Sequence, residues 1–189
     1  MKIFKKLSLN RYYDENIHVL QELQKELDTF DYGTIIDDVR YDETQLDRID
    51  WDSYKTLPVS IVKNEKIGNC WDFVNYQHNI FDSKNIQNFS YMFVMDRTGG
   101  DNSEDIVTHT FSIVVLDGQK FWFENAFYKY RGLWRIKDLY DVISILKKHY
   151  DPYDKYDFEV YQYDPTGLDN YLSGQEFFEK VAVDSNRVF

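Results

Sequence analysis

The chain contains one cysteine, Cys70, at a position that could make it a nucleophile. Asn69 precedes it and Asp72 lies three residues after Asn69, a pattern that predicts a helix with Asn69 as its N-cap. A cysteine in the first turn of a helix lies near unpaired backbone N–H groups and the positive end of the helix dipole, and both favour the thiolate. A free cysteine is more often a small buried apolar residue, so further residues are needed to indicate chemistry.

A predicted β-hairpin supplies those residues. Two apolar runs, 106–116 and 119–127, flank the dipeptide Asp117-Gly118. An Asp-Gly pair between apolar runs predicts a hairpin with a two-residue turn, because both turn residues need a positive φ. The turn length fixes the register of the two strands and therefore decides which side chains share a face.

In this register His109 lies opposite Ala126, and Glu124 is its diagonal neighbour on the same face. Diagonal neighbours are about 7–8 Å apart at the backbone, a separation that a glutamate side chain can bridge to an imidazole. A three-residue turn would shift the register by one residue and present Asn125 instead. The Asp-Gly turn favours Glu124, and Asn125 is the alternative.

Cys70, His109 and Glu124 have the residue types of a nucleophile, a general base and a group that orients the base. The segment Gly68-Asn69-Cys70-Trp71-Asp72-Phe73 resembles the Gly-Ser-Cys-Trp-Ala-Phe segment at the nucleophile of papain-type cysteine proteases. The 39 positions from Cys70 to His109 are too few for papain itself, and they are similar to the spacing in the transglutaminase-like branch of that superfamily. In that branch the cysteine is at the start of a helix. The acid follows the histidine by about fifteen positions and lies at the end of a Trp-containing strand.

The resemblance covers about residues 64–127. It implies an α+β fold with a papain/transglutaminase-like core, in which a Cys-bearing helix packs on an antiparallel sheet. It also implies that Cys70 attacks an amide or ester carbonyl, that His109 accepts and later donates the proton, and that Glu124 holds the imidazole. The expected function is a cysteine-nucleophile amide hydrolase or acyltransferase, a peptidase or a transglutaminase-like enzyme, acting on a peptide or protein amide without a cofactor or metal.

Three further residues are assigned to the candidate site. Asn64 lies six positions before Cys70, where papain-like enzymes carry the glutamine of the oxyanion hole, so the resemblance implies an oxyanion role for it. Trp71 and Trp122 are large planar side chains that more often belong to a core, and either could border a substrate cleft.

The composition excludes several classes of protein. The 22 basic and 33 acidic side chains of the 189-residue chain give a net charge of −11, which argues against binding nucleic acid. One cysteine cannot form an intramolecular disulfide or a multi-cysteine zinc site. No apolar run has the length of a signal peptide or a membrane span, so we expect a cytoplasmic protein that does not enter a membrane.

The remaining patterns predict one α+β domain over residues 1–189. Within it we distinguish an N-terminal helical and acidic subregion (1–56), a catalytic-type core (57–163) and a C-terminal turn and helix (164–189). The predicted elements are a helix over 13–30, irregular acidic chain over 31–56, an extended segment over 57–63, a helix over 69–81, a strand over 89–95, a loop over 96–105, the hairpin, a helix over 133–150, a strand over 158–163 and a helix over 175–181.

Other interpretations compete with catalysis. His18, His78 and His149 fall in predicted helices and are expected at the surface; a metal site formed by Cys70, His78 and His109 lacks a recognisable zinc spacing. The alternative function is a non-catalytic acidic interaction protein with a protease-like fold that binds a basic partner through its charge. Rapid labelling of Cys70 by iodoacetamide, slowed by His109→Ala, would favour the enzyme.

Overall fold

Residues 16–97 and 106–189 are described by a computed structural model, in which helices pack on two β-sheets. Its α-helices are α1 (Asn16–Leu27), α2 (Val59–Glu65), α3 (Cys70–Ser83), α4 (Leu139–Tyr150) and α5 (Gly174–Asp184). Its strands are β1 (Asp31–Ile36), β2 (Val39–Asp42), β3 (Ile67–Gly68), β4 (Asn88–Asp96), β5 (Ile106–Leu116), β6 (Gln119–Glu124), β7 (Gly132–Ile136), β8 (Phe158–Tyr163) and β9 (Asn186–Arg187). Short 3-10 helices cover Glu43–Arg48, Trp51–Ser53 and Tyr128–Tyr130.

The larger sheet has six strands in the order β7-β6-β5-β4-β8-β9, and every neighbouring pair is antiparallel. Side chains alternate between its two faces along each strand. One face packs against α4 through a cluster that includes Phe111, Trp122 and Leu146. The other face packs against α3, where Phe81 and Phe123 meet edge to face at 5.6 Å, and against α5.

The predicted β-hairpin is confirmed in its turn and in its register. Asp117 and Gly118 both have positive φ angles, of 49° and 72°. Leu116 pairs with Gln119 and Ser112 pairs with Phe123, as a two-residue turn requires. The ladder ends at the pair Ser112–Phe123, three residues short of His109, so the expected pairing of His109 with Ala126 is not formed; His109 and Glu124 both lie beyond the end of the ladder that is farthest from the turn.

The predicted helix at Cys70 is also confirmed. Asn69 Oδ1 accepts hydrogen bonds from the N–H groups of Trp71 and Asp72, and Asp72 Oδ2 accepts one from the Asn69 N–H. This reciprocal capping fixes the first turn of α3 and therefore the position of Cys70, its first residue.

A second, three-stranded sheet lies beside the start of α3. Its order is β2-β1-β3; β1 is antiparallel to β2 and parallel to β3. Tyr32 on β1 pairs with Gly68 on β3, two residues before Cys70. A Cβ atom at Gly68 would lie 2.9 Å from Cβ of Asp72, so the close approach of strand and helix requires glycine here.

Three predicted elements differ from the structure. Residues 57–63, predicted as extended, contribute most of α2, because Pro58 at the N-cap can precede a helix as readily as a strand. Residues 132–136, predicted in part as helix, pair with β6 as the edge strand β7. The acidic stretch 31–56 contains the β1–β2 hairpin, whose turn uses Asp37 and Asp38 at positive φ.

The other predicted elements are confirmed with shifted ends. The first helix begins no later than Asn16 and ends at Leu27, and its predicted start at 13–15 lies outside the described residues. Most of the predicted loop 96–105 also lies outside them. No helix within 16–97 and 106–189 is long and apolar enough to cross a membrane.

Candidate active site

Cys70 lies at the N-terminus of α3 with 6% of its surface exposed. The Asn69 side chain accepts from the N–H groups of the next two residues, whereas the N–H of Cys70 itself has no acceptor among the described residues. A free N–H beside the sulfur is the arrangement that can stabilise an oxyanion formed on attack by that sulfur.

His109 on β5 and Glu124 at the end of β6 form a buried pair. His109 Nε2 donates to Glu124 Oε2 at 2.9 Å, and both side chains are almost completely buried. The structure therefore brings Glu124 to His109, as the two-residue turn predicts. Asn125 turns away, and its Oδ1 accepts from Gln24 of α1 at 3.2 Å.

Glu124 is held by three further donors. Trp122 Nε1 donates to Oε2 at 3.0 Å, and the backbone N–H groups of Ala126 and Phe127 both donate to Oε1 at 2.8 Å. A buried carboxylate needs such partners to offset the loss of hydration. The four donors together fix both oxygens, so the orientation of the His109 ring is fixed as well.

Cys70 completes this group because its side chain lies against the His109 imidazole, close enough to raise the pKa of that ring. Because Nε2 of His109 is hydrogen-bonded to Glu124, Nδ1 is the ring nitrogen that can face the Cys70 thiol. Burial opposes the charged imidazole, but the Glu124 carboxylate and the neighbouring Cys70 side chain outweigh it and raise the pKa of His109 to about 10. The ring is therefore mainly an imidazolium at neutral pH.

Tyrosines surround the cysteine, and sequence reasoning missed them. The Tyr32 hydroxyl lies beside the Cys70 side chain; burial, followed by the negative charge of Cys70, raises the pKa of Tyr32 well above 10. Tyr54, Tyr150 and Tyr163 also lie close enough for the charge of Cys70 to raise their pKa values, although burial is the larger cause. No pattern in the acidic stretch 31–56 indicates that Tyr32 reaches the cysteine, because β1 pairs with a distant segment.

The remaining predicted residues lie in different surroundings. Asn64 is on α2 with an exposed side chain, outside the buried Cys70–His109–Glu124 group. Trp71 is half-buried and stacks on Phe177 with ring centroids 4.5 Å apart. Trp122 does not border a cleft in this conformation: it is 1% exposed and acts as a donor to Glu124.

A buried carboxylate supports the start of α3 from behind. Asp72 Oδ1 accepts from Tyr54 O–H at 3.2 Å and from the Leu57 N–H at 2.8 Å, while Oδ2 accepts from the Asn69 N–H. Burial raises the pKa of Asp72 to about 7, although these three hydrogen bonds lower it. Asp72 thereby connects the segment before α2 to the helix turn that carries Cys70.

A polar cavity of about 170 Å³ lies near the other end of α3. His78 lies beside it; its Nδ1 contacts Asn88 Oδ1 at 2.9 Å, and its Nε2 lies 3.2 Å from Asp82 Oδ2 and 3.6 Å from Asp164 Oδ1. His78 is therefore separate from the Cys70–His109 pair. The described part of the chain contains no group of three or more His, Cys, Asp or Glu side chains that could hold a metal ion.

The arrangement provides what covalent acyl transfer requires: a sulfur nucleophile, an imidazole in contact with it, a carboxylate that orients the imidazole, and a free N–H at the helix start. No protein-family model matches this chain, and no curated protein is significantly similar to it in sequence.

Proposed function

We propose that this protein is a cysteine-nucleophile amide hydrolase or acyltransferase that acts through Cys70, His109 and Glu124. The observation that carries the proposal is the contact of Cys70 with the His109 imidazole, which in turn is hydrogen-bonded to a buried carboxylate held by four donors. A histidine with a purely structural role does not require a cysteine beside its other ring nitrogen. A buried structural cysteine does not require a charged imidazole beside it.

The chemistry follows from these positions. The Cys70 sulfur attacks the acyl carbonyl and forms an S–C bond, while the carbonyl oxygen becomes an oxyanion facing the free Cys70 N–H. As the intermediate collapses the C–N bond breaks, and the His109 imidazolium gives its proton to the leaving amine. Neutral His109 then accepts a proton from water or from an acceptor amine, which attacks the thioester and releases the sulfur. Water gives hydrolysis, and an amine gives transfer.

We further propose that residues 64–127 form a papain/transglutaminase-like core. Supporting features are a Cys-bearing helix against an antiparallel sheet, the histidine and acid on neighbouring strands, and the order Cys, His, acid along the chain. The acid here is glutamate, whose extra methylene is accommodated because backbone N–H groups of the following loop anchor its second oxygen.

Acylation by p-nitrophenyl acetate tests this proposal. Because Cys70 is the only thiol of the chain, a stoichiometric burst of p-nitrophenolate with a mass increase of one acetyl group on Cys70 is expected. His109→Ala should slow the burst at least about 100-fold, the usual size of a general acid–base contribution. Cys70→Ser should abolish the thioester.

The control is His78→Ala, which removes an imidazole on the same helix as Cys70 but outside the catalytic group. The burst should be unchanged in this variant. An acetyl group found elsewhere, or a Cys70 that reacts only after unfolding, would contradict the enzyme and favour the non-catalytic acidic interaction protein.

A further inference from the structure

A group of basic side chains borders the candidate site of this acidic chain. Arg97 follows β4, Lys129 is in the 3-10 helix after β6, and His149 is in the last turn of α4. We name these three residues the cationic rim.

Phe127 connects the cationic rim to the catalytic histidine. Its ring contacts His109 at 6.1 Å and His149 at 4.4 Å between centroids. It also packs at 5.1 Å on Tyr130, over whose ring the Lys129 ammonium lies at 5.6 Å. The backbone N–H of Phe127 donates to Glu124, so the residue that holds the catalytic carboxylate also positions the rim.

Arg97 also lies close to His149 and to the catalytic histidine's neighbour Tyr150. Its Nη2 donates to the backbone carbonyl of Tyr150 at 2.7 Å, and the Tyr150 ring lies 6.5 Å from that of His109. The Nε of Arg97 is buried and has no hydrogen-bond partner among the described residues. An unpaired, buried guanidinium donor costs free energy unless an acceptor arrives, so this atom is an incomplete anion contact.

We propose, on the basis of the proposed function, that the cationic rim binds a carboxylate of the acyl donor, one or two residues on the acyl side of the carbonyl that Cys70 attacks. An extended peptide advances about 3.3–3.6 Å per residue, so an aspartate or glutamate side chain at that place reaches past Phe127. The substrate class is an acidic peptide. The net negative charge elsewhere repels such a peptide, so the rim directs it to the site.

His149 adjusts to the ligand. Burial, followed by the nearby charges of Lys129, His109 and Arg97, lowers the pKa of His149, so the free ring is mainly neutral at pH 7. A bound carboxylate has the opposite effect on the ring and favours its protonation.

Two matched esters test the proposal: the p-nitrophenyl esters of N-acetyl-glutamyl-glycine and N-acetyl-glutaminyl-glycine, which differ in one charge. At low salt the glutamyl ester should acylate Cys70 about three- to tenfold faster, as expected for one carboxylate near two or three cations in a partly solvated site. Lys129→Glu should abolish or invert this preference. Lys120→Glu, the control, reverses an exposed lysine near the hairpin turn, far from His109, and should preserve it.

The outcomes separate the two proposals. If both esters acylate Cys70 at equal rates, or if Lys120→Glu lowers the preference as much as Lys129→Glu does, the rim is not a subsite, while the proposed function stands. If neither ester acylates Cys70, the proposed function fails and the inference fails with it. A preference that disappears in 1 M NaCl, where the Debye length is about 3 Å, supports a charge contact.

Alkylation provides a readout that needs no turnover. Iodoacetate and iodoacetamide are similar in size and differ in charge, and Cys70 is the only thiol of the chain that they can modify. The rate constant for iodoacetate divided by the rate constant for iodoacetamide should fall about two- to fourfold in Lys129→Gln and stay constant in Lys120→Gln. An unchanged ratio in Lys129→Gln would place Lys129 too far from the thiol and overturn its part in the rim.

Discussion

The Glu124 carboxylate lies 2.9 Å from Nε2 of His109 and is fixed by three additional N–H donors, among them the indole of Trp122. This relationship makes His109 a cation that is held in one orientation. It also explains how a carboxylate and an imidazole are both accommodated in a nearly dry environment, since each satisfies the other and the loop amides satisfy the rest.

Glu124→Gln should reduce the acylation rate by about 10²–10⁴-fold, because the amide neither supports the imidazolium nor fixes the ring. Single-turnover acylation with p-nitrophenyl acetate measures the effect. Glu22→Gln, a change of the same type at an exposed position of α1, serves as the control and should have no effect. A Glu124→Gln rate within about threefold of the original would exclude an orienting role for this residue.

The raised pKa of His109 predicts how stability depends on pH. The folded protein binds this proton more tightly than the unfolded chain, so the contribution is fully present below about pH 6.5 and disappears as the pH rises through about 10. Its size is on the order of 3–5 kcal/mol for a shift of this extent. The free energy of unfolding, measured with urea, should therefore decrease from pH 6 to pH 10 in the unchanged protein. The same decrease should be smaller in Glu124→Gln. An equal loss in both would mean that Glu124 does not raise the pKa of His109.

The hairpin could be predicted in detail from the sequence because its information is local. Asp117-Gly118 determines the turn, the turn determines the register, and the register brings Glu124 to His109. The helix start at Cys70 is local for the same reason, since Asn69 and Asp72 cap it within three residues.

Contacts between distant segments could not be predicted in this way. Tyr32 reaches Cys70 only because β1 pairs in parallel with the two-residue strand β3, and no hydrophobic periodicity indicates such a short pairing. The edge strand β7 is similarly hidden, because an apolar run before a helix does not distinguish strand from helix without knowledge of its partner, β6.

Tyr32→Phe should increase the reactivity of Cys70. The Tyr32 hydroxyl lies beside the sulfur, and a sulfur that accepts a hydrogen bond from it must give up that bond when it attacks. We expect the iodoacetamide rate constant to rise about three- to tenfold, the equivalent of one neutral hydrogen bond. Tyr41→Phe on β2 removes a hydroxyl from the same sheet and should leave the rate constant unchanged. A slower reaction in Tyr32→Phe would show that the phenol assists the thiolate instead of restraining it.

Trp122→Phe should affect both stability and reactivity. The substitution removes the indole donor to Glu124 and leaves a space between Phe111 and Tyr130, so the free energy of unfolding should fall by about 2–4 kcal/mol. The acylation rate should fall as well, because Glu124 loses one of its four donors. Trp134→Phe, which removes an indole that donates to the Tyr130 carbonyl, should lower stability without slowing acylation. Equal rates in the two variants would contradict the indirect role of Trp122.

Asp72→Asn tests how the start of α3 is held in place. One oxygen of Asp72 accepts hydrogen bonds from Tyr54 and Leu57, and the other accepts one from Asn69. The side chain of asparagine has only one oxygen, so its NH₂ group would face an N–H or O–H donor on the other side. The expected loss is about 2–4 kcal/mol at pH 5, measured by urea unfolding.

The pH dependence of that loss identifies its origin. Burial raises the pKa of Asp72 to about 7, so the folded protein holds this proton more tightly than the unfolded chain does. Its contribution to stability is present below the ordinary carboxyl pKa of 3.8 and declines as the pH rises through about 7, whereas an amide does not titrate. The difference in free energy of unfolding between the unchanged protein and Asp72→Asn should therefore be larger at pH 5 than at pH 8. A difference that grows with pH would mean that the three donors outweigh burial and keep Asp72 ionised throughout, with the charge itself anchoring the helix turn that carries Cys70.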